Sequence, residues 1–364
     1  MLRVQTENPA VRTVVENTAR VLLANGASIR PDVVIHESQG NLSVHCDNAL
    51  PSPLFFIPSH LLIPIGDIEW GIGPQLIVDQ APGLSSTQRE LLDLHVQLFN
   101  SVGKYRWFCQ EFPRGALARY PDVATLFSRI EPRFTLGTTP ADFIHTRILS
   151  YKAKSDTNAA RKPVLMPLVD TMNHHSRGTP FEVDEQGLRV SQFQLEDGGE
   201  CFVNYGHLRD ALQIYSTYGF SDSSVRVATS VPSKVALTND GFTDFGTLVV
   251  RREGSMGYLP NITTNETRIT LSKVNFTSGN LGRFTAAFTL PVKSFAIQQG
   301  ASAEIADLVA ANATQQLLDN NRVRIEQLLQ VLSEQVEPHC ALEDLKSALE
   351  IQLHNLDRFR AAVS

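Results

Sequence analysis

Two stretches decide how this chain is read: LMPLVDTMNHHS, Leu165 to Ser176, and GGECFVNYGHLRDALQIYSTYGF, Gly198 to Phe220. In the first, the apolar run Pro163 to Val169 is short enough for a buried strand and stops at Asp170. The neighbouring His174 and His175 invite a metal reading. Consecutive side chains of a strand or turn point in different directions, and no acidic residue stands at ligand spacing, so no metal site is expected. In the second stretch, Glu200 to Tyr205 alternates as a half-buried strand does. Tyr205 and Tyr218 then stand thirteen residues apart. One tyrosine in a strand is ordinary core packing; the spaced pair is what singles this stretch out.

The rest of the chain falls into blocks around these stretches. Before them, Val11, Val14, Val15 and Ala19 suit an amphipathic first helix, while Asp32 to His36 and Leu54 to Ile57 read as strands bounded by proline. From Ser86 to about Leu149 the pattern is helical. Leu91, Leu92, Val96 and Phe99 recur at helical spacing behind a Ser-Ser-Thr start signal, and Ala141 to Tyr151 follows Thr138, Thr139 and Pro140 in the same way. Ser155 to Lys162 is polar and reads as a surface loop. After the two stretches come strand-like pieces at Thr247 to Val250, Arg268 to Phe276 and Arg283 to Leu290. From Ser302 the tail is helical: Ile325, Leu328, Leu329, Leu332 and Val336 form one apolar stripe. Leu342, Leu345, Leu349, Leu353 and Leu356 form another beyond a break at Pro338. Strands and helices segregate instead of alternating as βαβ units, so an α+β fold is expected.

Composition bounds the function. A chain of 364 residues with 42% hydrophobic content can bury at least one sizeable core. Its net charge of −6 gives no general electrostatic footprint for nucleic acid or an anionic membrane, and neither is expected as a partner. The longest apolar stretch, Ala49 to Ile65, is broken by four prolines and His60 and does not suit a bilayer span. MLRVQTENPAVR carries no apolar run of secretory length, so a cytoplasmic location is expected and the N-x-S/T sequons are read as chance. Cys46, Cys109, Cys201 and Cys340 never form a C-x-x-C pair and are expected to be free thiols.

The first stretch resembles the P-L-x-D-x-x-N-H-S segment of SET-domain methyltransferases, in the branch of the Rubisco large-subunit methyltransferase. The second is similar to that branch's G-E stretch leading to Y-G and, thirteen residues on, to Y-G-F. IHTRI, Ile144 to Ile148, resembles the segment that closes the branch's inserted helical region. The resemblance implies small β-sheets with a knot-like crossing, a helical insertion and a carboxy-terminal domain ending in helices. It divides the chain into a SET core over 1–80 and 160–225, the insertion over 81–159 and a substrate-binding domain of strands and helices over 226–364. It also implies S-adenosylmethionine as cofactor and a protein or peptide as partner, methylated on lysine or histidine.

The chemistry accounts for the residue types. Methyl transfer from a sulfonium is an in-line displacement that demands alignment more than acid or base strength. A lysine acceptor must also lose its proton, at about 4–5 kcal/mol at pH 7 against a reference pKa near 10.4, and a desolvating aromatic channel lowers that cost. By resemblance, Tyr218 is the catalytic tyrosine beside the methyl and the acceptor nitrogen, and Tyr205 walls the substrate channel. Asn173 and His174 sit beside the cofactor, and Arg147 faces its carboxylate, a task suited to a guanidinium fork. The family's opening G-x-G falls on Gln39 to Val44, which keeps Gly40, with Leu42 in the same cofactor-binding segment. Ala211 stands where the branch commonly carries Asn. These departures leave two alternatives open: a SET-like enzyme acting on a small molecule or peptide, and an inactive SET-like binding module.

Overall fold

A computed structural model describes residues 2–48, 50, 52–152, 161–195, 199–206, 209–239, 243–253, 259–335 and 339–363. Most of the polar stretch Ser155 to Lys162, together with Gly198, Val336 and Pro338, lies outside the described residues. The chain divides into two compact units, Met1–Phe112 with Thr138–His207, and Pro113–Gly137 with Leu208–Ser364.

In the first unit the helix Pro9–Ala24 starts on Asn8, whose side chain accepts from the amides of Ala10 and Val11, and it buries Val11, Val14, Val15, Ala19 and Leu22. A three-stranded sheet places Val33–Ser38 between Arg3–Gln5, parallel, and Asn41–Cys46, antiparallel. The hairpin turns on Gln39 and Gly40, both at positive φ (52° and 79°), as a tight two-residue connection requires. A β-carbon at Gly40 would also lie 2.6 Å from the Val102 carbonyl oxygen, so packing alone demands glycine there.

A four-stranded sheet orders Glu182–Val183, Gly187–Val190, Phe55–Pro58 and Ser28–Ile29. A three-stranded one orders Ile63–Pro64, Lys162–Leu165 and Ile148–Tyr151. Asn173–Thr179 pairs in parallel with the short strand Phe202–Val203, all that is regular strand within Glu200 to Tyr205. The helix Ser86–Ser101 opens with a Ser85–Gln88 capping box and turns Leu91, Leu92, Leu94, His95, Leu98 and Phe99 inward. The helix expected over Ala141 to Tyr151 is shorter. Pro140–His145 is helical, and Ile148–Tyr151 is a strand paired with Lys162–Leu165. Ile148, Leu149 and Tyr151 favour that pairing once a partner strand lies beside them.

In the second unit a sheet orders Ser233–Asn239, Thr243–Val250, Arg268–Leu271 and Ile262–Asn265. The 31-residue helix Ala303–Ser333 packs on it through a face that includes Val309, Ala313, Leu317 and Leu328, and the helix Cys340–Val363 buries Leu342, Leu345, Leu349 and Leu356. Arg283 to Leu290 is helical, not the expected strand: a short helix capped by Asn280, a π-turn over Thr285–Thr289, and then the helix Leu290–Gln298. Its buried residues Phe284, Ala287 and Phe288 recur at helical spacing, which the period-two reading of RFTAAFTL missed. No helix among the described residues is long and apolar enough to cross a membrane.

Candidate functional site

In the first unit the stretch Leu165 to Ser176 meets the opening part of the second stretch, Glu200 to Tyr205. Leu168, at the entry to the 3₁₀ turn Val169–Thr171, holds φ 67° and ψ −34°, a conformation that costs a leucine on the order of 1–3 kcal/mol. The turn delivers Met172 and the strand Asn173–Thr179 against Tyr205. The Tyr205 hydroxyl donates to the Met172 carbonyl at 2.6 Å, and its amide donates to His174 Nδ1 at 3.0 Å. That bond makes Nδ1 an acceptor and puts the proton of the neutral imidazole on Nε2. The two rings lie 5.1 Å apart between centroids. Asn173 donates through Nδ2 to the Leu42 carbonyl at 3.3 Å and to Glu200 Oε1 at 2.7 Å. The first stretch is thereby tied to the strand Asn41–Cys46 and to the segment that opens the second stretch.

Arg147 is held in the turn after the helix Pro140–His145, its amide donating to the Ile144 carbonyl. Its guanidinium lies 4.0 Å from the ring centre of Phe99 and 4.7 Å from that of Phe143. Nη1 reaches the main-chain oxygen of Asp170 at 3.4 Å, and Nε has no hydrogen-bond partner among the described residues. Burial pulls the Arg147 pKa down, while Asp170 and Tyr205 hold it up. Asp170 itself is pushed up to about 7, mainly by burial, with Arg147 opposing. His95 approaches Asp170 Oδ2 with Nδ1 at 3.5 Å, a contact between buried groups without hydrogen-bond length. Burial, helped by Arg147, drives His95 down to about 3, so it is neutral at pH 7. Lys104 donates to Asn41 Oδ1 at 2.9 Å, lies 4.5 Å from the Trp107 ring centre, and is brought down to about 8 by burial and by Arg147.

Gly40, Leu42, Arg147, Asn173, His174 and Tyr205 all belong to this unit, and hydrogen bonds join Leu42 to Asn173 and His174 to Tyr205. Tyr218 belongs to the second unit. It ends the helix Ala211–Tyr218, where Gly219 at φ 80° caps the chain, so it is a helical residue and not a strand residue. Its ring lies 5.2 Å from the Arg209 guanidinium, and burial raises its phenol above the usual value while Arg209 lowers it. Sequence reasoning passed over His95, Lys104 and Glu200 and gave Asp170 no role. A histidine among Leu91, Leu92, Leu94 and Leu98 was the one available sign.

The chain matches no protein-family model and no curated protein. Among solved structures it is similar to one described as the SET domain of LSMT bound to lysine and AdoHcy. The identity is 12%, the TM-score is 0.44, and the match covers 97% of this chain and 91% of the other. At that identity and score the likeness carries no function with it.

Proposed function

We propose that this chain is an S-adenosylmethionine-dependent N-methyltransferase of the SET type, acting on a lysine or histidine of a protein or peptide. The observation that carries the reading is the meeting of the first diagnostic stretch with the opening part of the second, with Tyr205 bonded to Met172 and His174, and Asn173 bonded to Leu42. The residues fit the donor at one point above all. Arg147 is a half-buried cation whose buried Nε has no partner among the described residues, and such a group is suited to a carboxylate.

In this reading the donor supplies an electrophilic methyl group, and the chain supplies alignment and dryness. Arg147 would hold the carboxylate, and Asn173 and the Leu42 main chain would hold the neighbouring polar atoms. Tyr205, its hydroxyl already committed to Met172, would present a ring face as a channel wall. A desolvated channel favours the neutral amine of an incoming lysine. Tyr218 keeps its proton at pH 7, so its hydroxyl would orient the acceptor nitrogen and not serve as a strong base. The SET-type division into core, insertion and substrate domain, the knot-like crossing and a cytoplasmic setting belong to the same proposal.

The test is transfer of labelled methyl from S-adenosylmethionine, with a cell lysate separated into protein and small-molecule fractions. Label in the protein fraction, on lysine or histidine after hydrolysis, is the expected result. Label confined to small molecules would give the alternative substrate class, and donor binding without transfer to any fraction would mark an inactive binding module.

A further inference from the structure

Three side chains in the first unit, those of Asp170, His95 and the half-buried Arg147, carry buried polar atoms without a hydrogen-bond partner among the described residues, and they lie together. Asp170, its side chain 1% exposed, has no hydrogen bond on either carboxylate oxygen among the described residues. Nε2 of His95 and Nε of Arg147 likewise have none. An ionised carboxylate beside a guanidinium would ordinarily close a short charge-assisted bond. Here Arg147 bonds the main-chain oxygen of Asp170 and leaves its carboxylate alone. The flanking Phe99 and Phe143 rings hold the guanidinium in place. The charge of Arg147 is therefore only loosely matched by Asp170, and it stays available to a second anion.

We propose that Asp170 is an exchangeable counter-charge for Arg147: when Arg147 receives the carboxylate of a ligand, Asp170 takes up one proton from solvent, so the buried charge stays balanced. This positioning role rests on the reading of Arg147 as the donor's carboxylate partner. The proton balance is simple, because one ligand carboxylate enters, one Asp170 carboxylate becomes a carboxylic acid, and no bond to carbon or sulfur changes. The charged and titratable groups around the pair come from four elements. His95 faces Asp170 from the helix Ser86–Ser101, and Arg147 from the turn after Pro140–His145. Lys104, from the helix Lys104–Glu111, and Tyr205, following the strand Phe202–Val203, act on Arg147. His95 is neutral and Lys104 is cationic at pH 7, so neither supplies a competing negative charge. Asp170, already raised to about 7 by burial, is poised to accept the proton as further negative charge arrives.

Calorimetric titration of S-adenosylhomocysteine tests this, at pH 8 in phosphate and in Tris, whose different ionisation heats reveal the protons exchanged. The wild type should take up close to one proton per site at pH 8 and almost none at pH 5.5, where Asp170 is already protonated. Its affinity should fall by up to about tenfold per pH unit above 7. Asp170→Asn should bind with the uptake abolished and this pH dependence removed. 5′-Methylthioadenosine, which lacks the amino-acid end, should take up no proton. Binding with the same proton count in wild type and Asp170→Asn would overturn the inference alone. If the variant does not fold, equal uptake by the wild type at pH 5.5 and pH 8 would do the same. Failure of the wild type to bind S-adenosylhomocysteine at all would overturn the functional reading and this inference with it.

Discussion

Arg252 in the second unit is a buried guanidinium and Arg147 in the first a half-buried one, and their surroundings treat them oppositely. Arg252 donates through Nε to Glu131 at 2.7 Å, through Nη1 to the Thr229 carbonyl at 2.6 Å, and through Nη2 to both Asp210 oxygens at 2.8 Å. Those carboxylates push its pKa up against burial. Asp210 is also the N-cap of the helix Ala211–Tyr218 and accepts from Gln352. Arg252 therefore ties Glu131, the Thr229 strand and the tyrosine-bearing helix into one satisfied network. Arg147 has aromatic faces, one long bond to a main-chain oxygen, and a carboxylate neighbour it does not bond. Its pKa moves down. The first arrangement commits a buried charge to holding the fold; the second leaves a half-buried one loosely matched, as its proposed role toward a ligand carboxylate needs.

Breaking the satisfied cluster should have the largest effect. Arg252→Ala leaves Asp210 and Glu131 buried without their cation and should destabilise the second unit by about 3–5 kcal/mol, read as a shift in the denaturant midpoint. A loss below about 1 kcal/mol would show that the network is not the keystone described. Arg147→Ala, by contrast, should cost ligand binding more than it costs stability.

Tyr218 stands at the far end of the helix that Asp210 starts, and its proposed catalytic role can be tested apart from that network. Tyr218→Phe keeps the ring and should leave folding and donor affinity almost unchanged. Turnover should fall by roughly 10²-fold, about 2.7 kcal/mol. Single-turnover methyl transfer measures this, with thermal unfolding as the control. A near-normal rate would reduce Tyr218 to a packing residue.

A finer comparison comes from pH. The carboxyl of Asp170 is raised from 3.8 to about 7 in the fold, so it contributes stability that is present at low pH and lost as pH rises through 7. His95 is lowered from 6.5 to about 3, so its contribution is present above 6.5 and lost as pH falls toward 3. Between about pH 4 and 6.5 the two slopes oppose each other. Asp170→Asn removes only the first. The melting temperature of the variant relative to wild type should therefore rise as pH goes from 5 to 8 and level off above 7. A difference independent of pH would mean that Asp170 titrates normally and that its burial is not what raises it.

How much of this was legible in the sequence depended on the distance over which each feature is determined. The first helix, the tail helices and the strand around Ile35 follow from local periodicity and were read correctly. Ile148–Tyr151 and Arg283 to Leu290 were misread because their outcome depends on context. The first becomes a strand by pairing with Lys162–Leu165, and the second becomes helical around the buried Phe284 and Phe288. Tyr205, His174 and Asn173 were picked out by motif, but the bonds of Tyr205 to His174 and of Asn173 to Leu42 and Glu200 join stretches far apart in the chain. His95 shows the limit most clearly. Its place on an apolar helical face was readable, whereas its contact with Asp170 exists only once the helix Ser86–Ser101 and the turn Val169–Thr171 are packed together.

The most direct test of the account is calorimetric titration of S-adenosylhomocysteine into the wild-type protein and into Asn173→Ala. Saturable one-to-one binding is predicted, weakened by about 1–3 kcal/mol in the variant, the scale for losing a well-placed polar partner. Absence of binding to the folded wild-type protein would contradict the central claim.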